Sequence, residues 1–352
     1  MPLLSNLMPA VWERLALRLS STQPIGLTTG IPELDSALGE GWNRQELTYL
    51  AGSSGIGKSW LSLHFVLTGA QWLHDHSDQR PLSGYLISRN NDEHAKQRQQ
   101  IQDKEGKQPL IVLWSLEMAE MAVAMRATAL TARLRCGVDL DSAALRVGKL
   151  PVMPDDPAWP EYSAHLEEAY MALRGELGPY VYIEFDDRNT GEFCETLDEL
   201  TKDHDIVFVV VDYFRLIEEF QSDGSMANAQ AQRSMQLTQL AKYYDCHVLA
   251  VFDITRLGQQ AERVGLQHMK GGTAAQYDAD VVLVLNEHER GGKEKDVYER
   301  HGVVELMVAK NRFGVTKTIQ LQIDRGTGLI EPVHRSRFGE GIYRTKGEIA
   351  TP

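Results

Sequence analysis

Short apolar runs recur along the chain, and the segments between them change period. "QELTYLAG", "LIVLWS", "YVYIEF", "HVLAVF", "DVVLVL", "VVELMVA" and "TIQLQI" are rich in Val, Ile, Leu and aromatic residues, as strands are. "IVFVVVDYF" is apolar without alternation, which predicts a central strand buried on both faces. Helical periods separate these runs. "KSWLSLHFVLTGAQWL" and "MAEMAVAMRATALTARLR" are two such segments, and residues 228–244 put Leu237, Leu240, Ala241 and Tyr244 on one face. "VMPDDPAWPEY", with its prolines, reads as a loop. Strands alternating with helices predict an α/β fold, a mostly parallel twisted sheet with helices on both faces. The last strands lack long helices between them, so antiparallel strands are expected at the C-terminal edge, with the strand that "VAKNRFG" leaves at the sheet edge.

Two stretches stand apart from this alternation. Residues 9–20 form an amphipathic pattern, with Val11, Leu15, Ala16 and Leu19 at helical spacing. Residues 1–24 are therefore expected to be a helix and linker, packing on a neighbouring subunit or on the chain's own domain. Residues 75–108 are polar and poor in apolar side chains, and are expected to be a surface insertion. The main domain is expected over residues 25–331, followed by a tail over 332–352 without clear periodicity.

Composition narrows the picture. The chain has 352 residues, 43 % of them hydrophobic, which allows a sizeable core. The net charge of −13 argues against a generally basic protein that coats nucleic acid, but leaves room for local basic loops. Cys136, Cys194 and Cys246 are widely spaced and match no zinc or disulfide pattern, so a reducing compartment is expected. Glu13, Arg14 and Arg18 interrupt the N-terminal apolar residues, unlike a signal peptide. No apolar run reaches the ~18 residues of a membrane span. The expected location is the cytoplasm, with no membrane partner.

The candidate chemistry begins at "AGSSGIGKSW", where Gly52 to Ser59 has the spacing G-x-x-x-x-G-K-S. Glycines let successive backbone N–H groups turn inward to cradle phosphates. Lys58 would reach the β- and γ-phosphates and the Ser59 hydroxyl would hold Mg²⁺. A strand precedes the loop and a helix follows it, as a phosphate loop requires. Gly52, Ser53, Ser54, Gly55, Ile56, Gly57, Lys58, Ser59 and Trp60 are thus the candidate ATP-binding residues. Three strands end in a carboxylate: Glu117, Asp212 and Asp253. Asp212, after the most apolar strand, best suits the Walker B carboxylate that holds Mg²⁺. Glu117, expected on a strand beside that of the phosphate loop, could orient or deprotonate the attacking water.

"GIPELDSALGEGWNRQELTYLAGSSGIGKS", "WSLEMAEMAVAMRATAL", "VVVDYFRLI", "VLAVFDITR", "GGTAAQYDADVVLVL" and "VAKNRFGVTKTIQL" resemble, in order, the ATPase domain of DnaB-type replicative helicases, a RecA-like motor. The resemblance covers roughly residues 25 to 325, and "SLEM" and "AKNRFG" are its specific parts. It implies ATP and Mg²⁺, a hexameric ring with ATP between subunits, and single-stranded DNA in the channel. A helicase loader or primase would be a further partner, and the location would be the nucleoid. Residue by residue, it makes Glu117 the catalytic glutamate and Asp212 the Walker B aspartate. It makes Lys310 and Arg312 a basic pair reaching the neighbour's γ-phosphate. Lys270, Gly271 and Gly272 would touch the DNA backbone, a role that a lysine beside bare glycine N–H groups suits.

The sequence also departs from the family. Asp253 stands where the family usually has a glutamine that senses the γ-phosphate, which makes it the candidate sensor, although a carboxylate there would repel phosphate unless protonated or holding metal. Gly271 stands where an acid is typical. Few residues precede the motor, which points to a pared-down helicase of a phage, plasmid or mobile element. A second reading stays open: a RecA-fold ATPase of another class, acting as a recombination factor or regulatory assembly switch without unwinding.

Overall fold

The computed structural model describes residues 26–77, 106–218, 226–269, 277–287 and 301–333, together with Met8, Pro9 and Trp12. Lys270, Gly271 and Gly272 lie outside them, as do most of the expected helix over 9–20, most of the polar insertion and nearly all of the tail.

Among these residues, nine strands make one sheet. They are β1 (Leu47–Gly52), β2 (Gln108–Ser115), β3 (Val181–Glu184), β4 (His204–Asp212), β5 (His247–Phe252), β6 (Val281–Glu287), β7 (His301–Asn311), β8 (Lys317–Asp324) and β9 (Ile330–Pro332). Their order is β3-β2-β4-β5-β1-β6-β7-β8-β9. The pairs from β3 to β6 are parallel, and those from β6 to β9 are antiparallel. The expected parallel sheet with an antiparallel C-terminal edge is therefore present.

The apolar runs explain why the sheet is buried on both sides. Every residue of β1 and β5 is buried. Alternate residues go to opposite faces. Leu50, Leu113, Val210 and Leu283 join one core cluster, while Tyr49, Ala51, Val112, Trp114, Val209 and Val282 join the other.

The helices close these faces. They include α1 (Pro32–Leu38), α2 (Lys58–Asp75), α3 (Glu120–Cys136), α4 (Ser142–Val147), α5 (Trp159–Met171), α6 (Thr190–Leu200), α7 (Met226–Tyr243) and α8 (Arg256–Gln260). Helix α2 buries residues on nearly all sides, among them Leu61, Phe65, Val66 and Leu73, as a central helix must. Leu237, Leu240, Ala241 and Tyr244 are buried as their spacing predicts, in the cluster on the other face.

Three expectations about placement are corrected. The segment "VMPDDPAWPEY" is a loop only up to Ala158, because α5 starts at Trp159 with Pro160 in its first turn. A proline there lacks only an N–H that has no partner in the helix. The strand of Glu117 does not adjoin the phosphate-loop strand, since β4 and β5 lie between β2 and β1. And β7, which leads into "AKNRFG", is interior, because β8 and β9 extend the sheet beyond it.

At the N-terminal ends of the central strands, Arg44 donates to both oxygens of Asp205, at 3.0 and 2.6 Å, and to the Asp245 carbonyl at 2.7 Å. This clamp ties the start of β4 to the turn before β5. The C-terminal strand ends are where an open parallel sheet takes its ligand.

Candidate nucleotide site

The phosphate loop joins β1 to α2. Gly57, at the start of α2, has φ +115°, a left-handed conformation that favours glycine. Gly52 has a different need: a Cβ there would lie 2.8 Å from the Leu285 carbonyl oxygen on β6. No side chain caps the start of α2, so its first amides face the loop, as an anion requires. Lys58 Nζ folds back to donate to the carbonyls of Gly52 at 3.0 Å and Ser53 at 2.9 Å. Burial lowers the pKa of this ammonium, while Asp253, then Asp212 and Glu117, pull it up. All three strand-end carboxylates therefore act on one lysine, although they are far apart in sequence.

Asp212 ends β4 and is buried. Burial pushes its carboxyl up to about 6, and Glu117 pushes in the same direction, while the Ser59 hydroxyl, Lys58 and Arg126 oppose them. Asp212 Oδ1 is buried with no hydrogen-bond partner among the described residues. An orphaned carboxylate oxygen beside a hydroxyl suits a hard cation. No group of three or more His, Cys, Asp or Glu that could hold a metal is found among the described residues. A cation at Ser59 and Asp212 would thus take its remaining ligands from phosphate and water, as Mg²⁺ commonly does. Glu117 lies in the exposed turn after β2, where its charge reaches Asp212, Lys58 and Arg126.

Arg126, on α3, is a site residue that sequence reasoning missed. It lines a small crevice with Ser59, Ser115, Met118 and Asp212. Its guanidinium lies 4.9 Å from the ring centroid of Trp60 and donates to Met118 Sδ at 3.1 Å. Burial lowers its pKa, and Asp212 and Glu117 raise it. The signal was available: Arg126 falls on the helix face of the buried Val123 and Leu130, an apolar face that a charge enters only with partners. Trp60 itself is buried, and a Cβ on Gly328 would lie 2.2 Å from its ring. It supports Arg126 and the loop over residues 324–329.

Lys310 and Arg312 converge on one segment of their own chain. Lys310 Nζ donates to the carbonyls of Ala279 at 2.6 Å and Tyr277 at 3.3 Å. Arg312 pairs with Asp280 Oδ1 at 3.0 Å and donates to the Tyr277 carbonyl. Asp280 Oδ2 in turn accepts from Leu47 N at 3.0 Å, which links the basic pair to the start of β1.

A phosphate loop, a buried strand-end aspartate and a sheet of this order define a RecA-like ATPase-type α/β domain. The family model "DnaB-like helicase C terminal domain" matches residues 26–330, and the chain belongs to that family. It is 25 % identical over 233 residues to the replicative DNA helicase DnaB of Mycobacterium intracellulare, a match over 64 % of this chain and 35 % of that one. With the replicative DNA helicase DnaB of Geobacillus stearothermophilus it shares 23 % identity over 304 residues, 84 % of this chain and 54 % of that one. The chain thus spans between about a third and about a half of these two relatives. Among solved structures, that of an ATPase domain matches with a TM-score of 0.68 and 17 % identity, over 93 % of this chain and 99 % of that one. A DnaB-like replicative helicase, described with its interactions with primase, matches with a TM-score of 0.68 and 18 % identity, over 94 % and 68 %. These two likenesses are of fold.

Proposed function

We propose that this chain is an ATP-driven motor that moves along single-stranded DNA and separates strands in replication, working as a hexameric ring. The observation that carries the reading is the gathering of Glu117, Asp212 and Asp253 around Lys58 at the strand ends, together with membership of the DnaB-like family. The phosphate-loop amides and Lys58 bind and orient the triphosphate. Ser59 and Asp212 would hold Mg²⁺, a cation that would supply charge neutralisation at the phosphates. Glu117 accepts the proton of the attacking water or orients it. Arg312 and Lys310 would leave Asp280 and the Tyr277 carbonyl to reach the γ-phosphate of a neighbouring subunit. Lys270, Gly271 and Gly272 would follow the DNA backbone, and primase or a loader would be a further partner.

The test is ATPase activity with and without single-stranded DNA, combined with strand separation on a forked duplex. Stimulated hydrolysis and separation support the motor. Hydrolysis that DNA does not stimulate, without separation, would make the chain a recombination factor or assembly switch.

A further inference from the structure

The ends of β4 and β5 carry a charge pair whose arginine has no role in the site described above. Arg215, in the turn after β4, brings Nε to 3.5 Å from Asp253 Oδ2. The two strands pair in parallel with Val211 opposite Ala250, so the segments that follow leave the sheet side by side. Asp253 is also the first of the carboxylates acting on Lys58. The Arg215 guanidinium lies 5.6 Å from the ring centroid of Tyr213, and Tyr213 in turn feels Asp253, Arg215 and Glu117. Strand β5 also pairs with β1, with Phe252 opposite Ala51, so Asp253 leaves the sheet beside Gly52, where the phosphate loop begins, and brings its partner Arg215 to that end of the sheet. The Arg215 side chain is 52 % exposed and that of Asp253 26 %.

A carboxylate at this end of the sheet repels a phosphate, and a guanidinium beside it attracts one, with a planar fork that fits phosphate oxygens. We propose that Arg215 detects the terminal phosphate of the nucleotide and that Asp253 is its built-in competitor. The inference rests on the reading of this site as one for a nucleoside triphosphate. Without nucleotide, Arg215 pairs with Asp253. A terminal phosphate takes the guanidinium from the carboxylate. The exchange is cheap, because a half-exposed ion pair is weak and screened, whereas a charge-assisted bond to phosphate is strong. A diphosphate ends one phosphate short and leaves the pair closed. Asp253 need not touch phosphate at all: its charge sets how much the terminal phosphate must offer.

The experiment measures affinity for ADP and for a non-hydrolysable ATP analogue, both with Mg²⁺, by calorimetry. It compares the wild-type chain with Arg215→Gln, Arg215→Lys, Asp253→Asn and the double variant Arg215→Gln/Asp253→Asn. The readout is the ratio of the two affinities. Arg215→Gln should lower the preference for the triphosphate about tenfold, the value of a hydrogen bond to a charged group. Arg215→Lys should retain part of that preference. Asp253→Asn should raise it severalfold, because the competitor is gone and the arginine remains. The double variant should fall between the two. Opposite signs for the single variants are the decisive result, since a merely structural ion pair would move both ratios the same way or leave both unchanged. Either of those outcomes overturns the proposal. If the wild-type chain binds ADP while the ratios stay flat, the sensor alone is wrong; if it binds neither nucleotide, the reading of the site falls with it.

Discussion

His64 makes the stability of this fold depend on pH in a way that can be measured. It lies on α2, the helix that starts at the phosphate loop, and is buried at 3 % exposure. Neither ring nitrogen has a hydrogen-bond partner among the described residues. Burial therefore depresses its pKa from 6.5 to about 4. In the unfolded chain the ring takes up a proton as the pH falls through 6.5, while the folded chain refuses it until about 4. Between those values the unfolded state holds more protons, so stability rises with pH and is lost on acidification. At ~1.36 kcal/mol per pH unit, the full loss is about 3 kcal/mol, and about 2 kcal/mol is already lost at about pH 5. His64→Leu removes the titrating group with little change in volume. Measured by urea unfolding, the variant should gain about 2 kcal/mol relative to wild type between about pH 7.5 and about pH 5. At about pH 7.5 the difference should be small, because an unpartnered imidazole and an imperfect leucine fit offset each other. His247 is also depressed to about 4 by burial, and it bonds the Asn43 carbonyl at 2.7 Å and Thr48 Oγ1 at 3.0 Å. It remains in the variant, so acid sensitivity should be reduced and not abolished. A difference between variant and wild type that is the same at both pH values would refute the reasoning.

Three further outcomes follow from the site and its supports. Glu117→Gln should keep nucleotide binding and lose turnover by at least about a hundredfold, the usual contribution of a positioned base, and a normal rate of ATP hydrolysis would remove Glu117 from the base role. Mixing Arg312→Ala with Lys58→Ala subunits should recover part of the ATPase that each lacks alone, because some interfaces then pair an intact loop with an intact arginine. If tagged subunits co-purify in mixed rings and activity stays flat, catalysis is not shared between subunits. Gly328→Ala should lower the unfolding free energy by about 1–3 kcal/mol, because its φ of +79° is strained for alanine and the new Cβ would lie 2.2 Å from the Trp60 ring; an unchanged thermal midpoint would count against that packing.

The strand, loop and helix around Gly52 to Ser59 were legible from sequence because their geometry is local. The eight residues from Gly52 to Ser59 carry their own backbone geometry, and an apolar strand and a helix flank them within the same stretch. The strands were legible for a similar reason: a strand buried on both faces, such as β4, has to be apolar along its length, whatever its neighbours are. The carboxylates at strand ends followed from the strands.

Strand order was not legible, since pairing joins residues far apart in the chain and an apolar run fits many partners. That is why Glu117 was expected next to β1 and instead follows β2, on the far side of β4 and β5, and why β7 was expected at the edge and is interior. The same limit hid the partners of charged residues. Arg126 over Trp60, Arg312 on Asp280 and Arg215 beside Asp253 are each a contact that exists only once the sheet is assembled in this order. Composition and period fix which segments are buried. Only the tertiary arrangement decides which charges meet, because the energy of a charge depends on what lies within a few ångströms of it and not on what lies beside it in the sequence.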